Sequence, residues 1–416
     1  MKHLTDPHWL PASFLNGPAS SAPNALARAV DESRPDFVHF LECLSAEAAQ
    51  TYEDQWRDLA NRALEPNIFF EPGFALNAAR HLPGAGQPKF LLCWEGGRVE
   101  ARGRLLGLWP ICIPKSAFPS IARSWRHEYG CSCAPLLDSA CALVVMEQMA
   151  AWLRDNHPRL SVVEAPLLIK ANPTYAVMRD AARQRNLPFN PMGQYDRAAL
   201  DATLVAVGAR DFVSAKKRKE LQRQFRRFRE LGAVAFHMTH DADDLRTQIE
   251  AFMLLEAKGW KGRKGTAFLN HPGSAAFLRA MSRTLGREGK CRIYWLSLDG
   301  RMIAGNIVLL DRRGQAYFWK TAYDEDYAAL SPGVLLTMDM TDRLLNDKEV
   351  EIVDSCAIPD HPMIDHLWRV RLPVADVMLG VAPEGRFAFN GLLQREKFRR
   401  SLRERTKAAL ARIKAR

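Results

Sequence analysis

The order of elements between Cys291 and His366 constrains this chain more than any single residue does. Three strand-like runs, Cys291–Leu298, Met302–Leu310 and Gln315–Tyr323, are split by Asp299-Gly300 and Arg313-Gly314. Those dipeptides are strong hairpin signals, because a tight turn between antiparallel strands needs positive φ, which glycine adopts without strain. The third run leads into Leu330-Ser331-Pro332-Gly333-Val334-Leu335 and a helix over Gly333–Leu345. Proline is tolerated at a helix start, where its missing N–H would have had no partner anyway. A buried strand, Val350–Asp354, then ends in Asp354-Ser355-Cys356, with Asp360-His361-Pro362 in a turn just beyond. A loop that passes from a strand into a helix is a good place to hold a phosphate, since backbone N–H groups and the helix dipole both favour an anion there.

At 416 residues the chain is too long for one ordinary core, so two domains are expected. Its 47% hydrophobic and 25% charged residues are those of a globular protein. No apolar run approaches the ~20 residues that span a bilayer, and the first residues lack a basic-then-apolar secretory pattern. The expected location is cytoplasmic. The eight cysteines sit mostly in apolar runs and read as reduced thiols. The Cys131-x-Cys133 pair has no second pair at metal-ligand spacing, so no metal is expected.

The net charge of +11 is localised. Residues 210–230 contribute +6 and residues 386–416 contribute +9, so the rest of the chain is net acidic. This is a near-neutral body carrying two basic helices.

Residues 1–36 lack sustained periodicity and read as a disordered arm. Helical patterns begin near Phe37 and continue through Trp56–Ala60, with another over Phe74–His81. Strands at Lys89–Trp94 and Leu105–Pro114, a helix at Ala142–Arg154, a strand at Leu160–Leu168 and a helix at Tyr175–Gln184 follow. Ser214–Leu231 is a long basic helix with Ser214 as its N-cap and Gly232 as its C-cap. Leu221, Phe225, Phe228 and Leu231 give it one apolar face. Strand Val234–Met238 and helices Asp243–Lys258 and Ser274–Arg287 precede the Cys291 run, and Pro373–Leu379 is a last strand. Both halves show a run of helix, hairpin, helix, strand, helix, which suggests two copies of one α/β unit.

The second half resembles the GNAT acyltransferase superfamily. The segments that carry the resemblance are SAKKRKELQRQFRRFRELG, EAKGWKGRKGTAF, GRMIAGNIVLL, WKTAYDEDYAALSPGVLL and DSCAIPDHPMIDHLW, over roughly residues 210–380. The closest likeness is to the acetyltransferase domain of CelD-like bacterial proteins linked to polysaccharide biosynthesis, and more distantly to the Fem-type aminoacyltransferases. The resemblance implies an α/β (α+β) fold of two tandem GNAT-like domains, each a mixed, mainly antiparallel sheet flanked by helices, plus a basic C-terminal helix. The implied boundaries are a GNAT-like half over 37–207, an acyltransferase domain over 208–385 and a helical tail over 386–416. It further implies acetyl-CoA or another acyl-CoA as co-substrate, lying where the strand before the phosphate loop splays from its neighbour. That loop in the family reads like Arg/Gln-x-x-Gly-x-Gly/Ala; here it has one glycine and no arginine.

On this reading Ser331, Pro332, Gly333 and Val334 hold the cofactor pyrophosphate, and Trp319, Lys320, Thr321 and Ala322 line the pantetheine arm. Lys320 can attract a phosphate or carboxylate. Tyr323 can protonate a leaving thiolate, and Asp354 or His361 can deprotonate an amine nucleophile. Cys356 is a further candidate, as an acyl-carrying nucleophile. Trp260 is a candidate acceptor wall, Glu256 a group for an amine, and Lys258 or Lys261 a group for an anion. His127-Glu128-Tyr129-Gly130 is the comparable polar cluster of the first half, with no mechanism attached.

The expected activity is therefore N-acyl transfer, acetyl first, to a small-molecule amine such as an amino sugar or an envelope or polysaccharide precursor. Two alternatives stay open. In a Fem-like aminoacyl-tRNA-dependent transferase, the basic helix at 214–231 would contact tRNA phosphates. In a non-catalytic module, the basic tail, with Leu392, Leu393, Phe398, Leu402, Leu410 and Ile413 as its apolar stripe, would rest on an anionic membrane at its inner face.

Overall fold

A computed structural model describes residues 39–82, 86–96, 103–114, 120–203, 208–311 and 313–414. The arm read at 1–36 lies outside the described residues. Thirteen strands are assigned among these residues: β1 His39–Leu44, β2 Lys89–Glu95, β3 Leu105–Cys112, β4 Ser120–Ser124, β5 Leu136–Leu137, β6 Leu160–Ile169, β7 Phe189–Asp201, β8 Val234–Thr239, β9 Cys291–Leu298, β10 Arg301–Leu310, β11 Gln315–Tyr323, β12 Ile352–Asp354 and β13 Val370–Gly380.

The chain divides into two compact units that interleave along the sequence. One comprises Pro66–Gln87 and Tyr195–Pro373; the other takes in 39–65, Pro88–Gln194 and 374–414. The first unit has strand order β8-β9-β10-β11-β12-β7, antiparallel throughout except for the parallel pair β11/β12. The second has order β1-β2-β3-β4-β6-β13, antiparallel except for the parallel pair β4/β6, with the short β5 on β3. The two patterns are the same, so the chain is a tandem of one α/β unit. In each, the last strand comes from a distant part of the sequence: β7 precedes the rest of its sheet, and β13 follows β6 by some two hundred residues. The chain passes from one unit to the other within β7 and returns within β13.

One element differs in type from the sequence reading. His39–Leu44, expected to begin a helical stretch, is a strand paired with β2 from His39↔Glu95 to Leu44↔Phe90. Six backbone partners across the sheet outweigh the weak helical spacing of HFLECL, an instance of tertiary pairing overriding local pattern.

In the first unit the sheet is covered on both faces, which explains why β10 is buried from Met302 to Leu310. The period-two pleat sends its side chains to alternate faces. Gly305 faces the Ala242–Lys258 helix, and a Cβ there would lie 2.9 Å from Phe252. Asn306 faces the Pro332–Leu345 helix. That helix inserts Leu336, Met340 and Leu344 into a core with Tyr294, Leu296 and Val308. Burying each such side chain is worth about 2 kcal/mol. The Ala215–Leu231 helix is capped as expected, Ser214 accepting from the Lys217 N–H at 3.2 Å. It buries Leu221, Gln224 and Phe228, while Leu231 is exposed. Gln224 replaces Leu231 on the packed face because its amide donates to the Ala329 carbonyl at 3.3 Å.

Candidate functional site

The site forms where β11 parts from β12. The two strands pair only over Gln315↔Ile352, Ala316↔Val353 and Tyr317↔Asp354. β12 ends there, but β11 continues to Tyr323 with its edge on that side unpaired by β12. On its other side β11 is bulged against β10: Lys320 opposes Ile307 and Phe318 opposes Val308, leaving Trp319 as the extra residue. A bulge bends a strand and re-aims the side chains around it. Trp319 is thereby buried in an aromatic cluster with Phe74 at 5.8 Å, Phe268 at 6.2 Å and Phe277 at 6.3 Å. The Lys320 ammonium lies 5.3 Å from the Trp319 ring and 5.7 Å from Phe268, within cation–π range.

At the far end of β11 the chain runs through a 3₁₀ segment, Glu325–Leu330, into Ser331. Ser331 has left-handed backbone angles (φ 52°, ψ 49°), which are uncommon for a non-glycine residue, and the Pro332–Leu345 helix starts directly after it. The Ser331 carbonyl accepts from both Val334 and Leu335 at 3.1 Å, and Pro332 has no N–H. Among the described residues this leaves the Gly333 N–H at the helix start without a protein acceptor. Gly333 lies against Tyr323, and a Cβ there would sit 3.3 Å from the tyrosine ring.

A buried polar chain fixes this loop to the sheet. Thr321 Oγ1 donates to Asn306 Oδ1 at 2.8 Å, Asn306 Nδ2 donates to Thr337 Oγ1 at 3.4 Å, and Thr337 Oγ1 donates to the Gly333 carbonyl at 2.8 Å. Asn306 and Thr337 are fully buried. Sequence reasoning missed both. Their signal is the polar side chain inside an otherwise apolar strand, GRMIAGNIVLL, and inside the apolar face of a helix.

Glu256 and Lys261 are brought together. Lys261 Nζ donates to Glu256 at 2.8 Å and to the Thr321 carbonyl at 2.9 Å, and the second Glu256 oxygen accepts from the Phe268 N–H at 2.9 Å. Both groups thus tie the loop after the Ala242–Lys258 helix to β11. Trp260 is half exposed, its backbone N–H donates to Glu325 at 2.6 Å, and Lys264 lies 4.8 Å from its ring. Lys258 donates to both oxygens of Asp324 at 2.8 Å and to Asp326 at 2.6 Å.

At the other end, Asp354 is buried and accepts from Arg197 Nη1 at 2.8 Å and from the Cys356 N–H at 2.8 Å. Cys356 and Asp360 both have positive φ (53° and 58°). Strained residues of this kind gather where a backbone is shaped for a task. His361 accepts at Nδ1 from the Met363 and Ile364 N–H groups, both at 3.4 Å, and its backbone N–H donates to the Asp365 carboxylate at 3.0 Å. Burial pushes the imidazole below its ordinary pKa, with Asp365 opposing that shift. His361 opens on a cavity of about 570 Å³ whose wall includes Asp196, Asp360, Asp365 and Arg371.

The expected site residues therefore fall into two groups. Tyr323, Ser331, Pro332, Gly333 and Val334 stand at one end of the open β11 edge, and Asp354 faces Tyr317 at the other. Six extended residues separate the ends, roughly 20 Å. Tyr323 and Asp354 thus do not converge on one reacting atom. Trp319 to Ala322 lie between them. In the second unit, His127 is buried and packs on Trp125 at 4.7 Å. No group of three or more His, Cys, Asp or Glu among the described residues is arranged to hold a metal ion. No helix among them is long and apolar enough to cross a membrane.

Residues 215–361 match the family model described as an acetyltransferase (GNAT) domain. No curated protein matches the chain. Among solved structures, FemX is 9% identical, with 81% of this chain and 97% of that chain covered and a TM-score of 0.49. A tandem GNAT protein from the clavulanic acid biosynthesis pathway is 15% identical over 83% of this chain and 99% of that chain, with a TM-score of 0.39. A conserved protein of unknown function from Bacteroides thetaiotaomicron VPI-5482 is 9% identical over 79% and 97%, with a TM-score of 0.47.

Proposed function

This chain carries a GNAT acetyltransferase domain over residues 215–361, and on that premise we propose that it transfers an acyl group, acetyl first, from a CoA thioester to an amine. The observation that carries the proposal is the open edge of β11, which begins where β12 ends and leads to the Gly333 N–H at a helix start. The residues present fit acyl-CoA: an extended edge about as long as a pantetheine arm, a glycine allowing close approach, and the positive end of a 14-residue helix. When bound, acyl-CoA supplies the activated carbonyl.

Ser331, Pro332, Gly333 and Val334 hold the pyrophosphate, with Tyr323 as the side wall of that loop, while Lys320 lies over the Phe268 and Trp319 rings. Trp319, Thr321 and Ala322 present the edge along which the arm lies. Glu256 and Lys261 fix the acceptor-side loop to β11, and Trp260 offers an exposed aromatic wall for the acceptor. Asp354, locked to Arg197, holds the turn through Cys356. His361 takes the proton of the attacking amine. Its lowered pKa keeps it neutral near pH 7. The acceptor is proposed to be an amino sugar or another envelope precursor.

Calorimetric titration with acetyl-CoA tests this reading. Wild-type protein is expected to bind saturably and a Gly333→Asp variant to lose binding while keeping its circular dichroism spectrum. Folded wild-type protein that shows no binding would sink the proposal.

One observation favours an additional membrane contact. On the Arg386–Lys414 helix, Phe387, Phe398 and Leu402 are exposed among basic residues, Phe387 by 93%. Such a face suits an anionic lipid surface. Flotation with anionic vesicles that survives a Phe387→Glu/Phe398→Glu/Leu402→Glu variant would rule this contact out.

A further inference from the structure

The second unit has its own opening at the same place in its strand order. β4 and β6 pair from Ser120↔Leu160 to Arg123↔Glu164; β4 then ends, while β6 runs on to Ile169. A cavity of about 350 Å³ lies here, and the C-terminal helix closes one side of it. Its charged lining is five arginines, Arg123, Arg126, Arg399, Arg400 and Arg403, facing three carboxylates, Glu164, Asp376 and Glu396.

The carboxylates are all buried and all matched. Arg400 donates to Asp376 at 2.7 Å, to Glu164 at 2.9 Å and to Glu396 at 3.3 Å. Arg123 donates to Glu164 at 2.7 Å, and Arg399 to Glu396 at 2.7 Å. Burial alone would raise the pKa of Glu396, but the Arg399 and Arg400 guanidiniums hold it below the ordinary value. This network builds a rigid floor. Arg126 and Arg403 are left over: both line the cavity, both are exposed, and neither forms an ion pair among the described residues. The site therefore carries two positive charges in excess, on planar groups whose paired N–H donors match phosphate oxygens. The volume lies at the small end of ligand cavities, which run from about 300 Å³ upward.

We infer that this arginine-lined cleft of the second unit binds the diphosphate group of a small water-soluble molecule, with Arg126 and Arg403 as the docking guanidiniums and Arg400 as the residue that positions the wall carrying them. None of these residues belongs to the proposed acyl-CoA loop.

The test uses the full chain carrying Gly333→Asp, so that the loop after β11 is silenced, titrated with inorganic pyrophosphate at low salt. Saturable binding is expected, weakened at least tenfold in an Arg126→Gln/Arg403→Gln variant and weakened progressively by added salt. Each single substitution is expected to reduce affinity several-fold, a reading that stands even if the double variant folds poorly. Because neither arginine is paired, the melting temperature of the singles should match that of the parent. No saturable binding in the Gly333→Asp protein, or an affinity unmoved by the arginine substitutions, overturns the inference. Neither result bears on whether wild-type protein binds acetyl-CoA.

Discussion

Arg197 on β7 and Asp354 at the end of β12 form an ion pair at 2.8 Å, both side chains at most 3% exposed, across 157 positions of sequence. Arg197 also donates to the Tyr195 hydroxyl at 2.9 Å. The pair fastens the one strand of this sheet that comes from upstream in the sequence to the strand where the candidate site opens. Removing one partner leaves a buried charge uncompensated, whereas replacing both with apolar side chains does not. Arg197→Met is expected to lose about 3–5 kcal/mol of stability in urea unfolding, and Arg197→Met/Asp354→Leu clearly less. Equal losses in the single and double variants would show that the pair's charge is not what holds the strands.

Removing the proposed proton acceptor should be a kinetic rather than a structural change. His361→Gln is expected to lower kcat by about 10²–10⁴-fold while leaving the acetyl-CoA affinity from calorimetry unchanged. The base works only when neutral, and burial lowers the pKa of His361. The acid limb of the wild-type kcat/KM profile should therefore fall below the ordinary histidine value of about 6.5. A limb at or above that value would assign the proton to another group.

Thr337 holds the Gly333 carbonyl and the Asn306 amide together. Thr337→Val keeps the shape and removes the hydrogen bonds, at a cost of about 1 kcal/mol. Its expected signature is a several-fold rise in KM for acetyl-CoA with kcat little changed. An unchanged KM would mean that the helix start does not depend on this chain of contacts.

Asp311 gives the first unit a pH dependence of known sign. It is deeply buried, and burial is the main cause that pushes its pKa up to about 7, reinforced by the nearby charge of Glu71 and opposed by the Arg313 and Gln315 N–H groups and by the Arg313 charge. The folded protein thus keeps a proton that the unfolded chain releases near the ordinary aspartate value. The resulting stability is fully present below about pH 4 and is lost as pH rises through about 7, with a slope of up to about 1.4 kcal/mol per pH unit. Asp311→Asn removes this dependence. Its urea midpoint, compared with wild type, should gain between pH 5 and about pH 7 and then level off by pH 8. A constant difference across that range would exclude the titration.

Much of the first unit was legible because its cues are local. The meander β9–β11 follows from alternating apolar runs and from Asp299-Gly300, whose two residues both take positive φ. Ser214 starts its helix for a reason contained within one turn of chain, whereas Gly232 at the other end is required by the close approach of the Asp299 carboxylate. Ser331-Pro332-Gly333 marks a helix start by the same kind of short-range rule. Cysteine chemistry was readable too: burial raises the Cys93 and Cys291 thiols to about 12, as expected of thiols in apolar runs.

The sequence by itself therefore determined where strands and helices begin and end through most of residues 214–379, because turns, caps and periodicity act over a few residues. Only the tertiary structure decided which distant strand completes each sheet, that His39–Leu44 pairs as a strand, and that Gln224 rather than Leu231 is packed. It also decided that Tyr323 lies on Gly333 while Asp354 is held by Arg197 at the opposite end of the open edge. These outcomes depend on which groups meet across long loops, where burial and hydrogen-bond satisfaction choose among partners that local composition leaves equivalent.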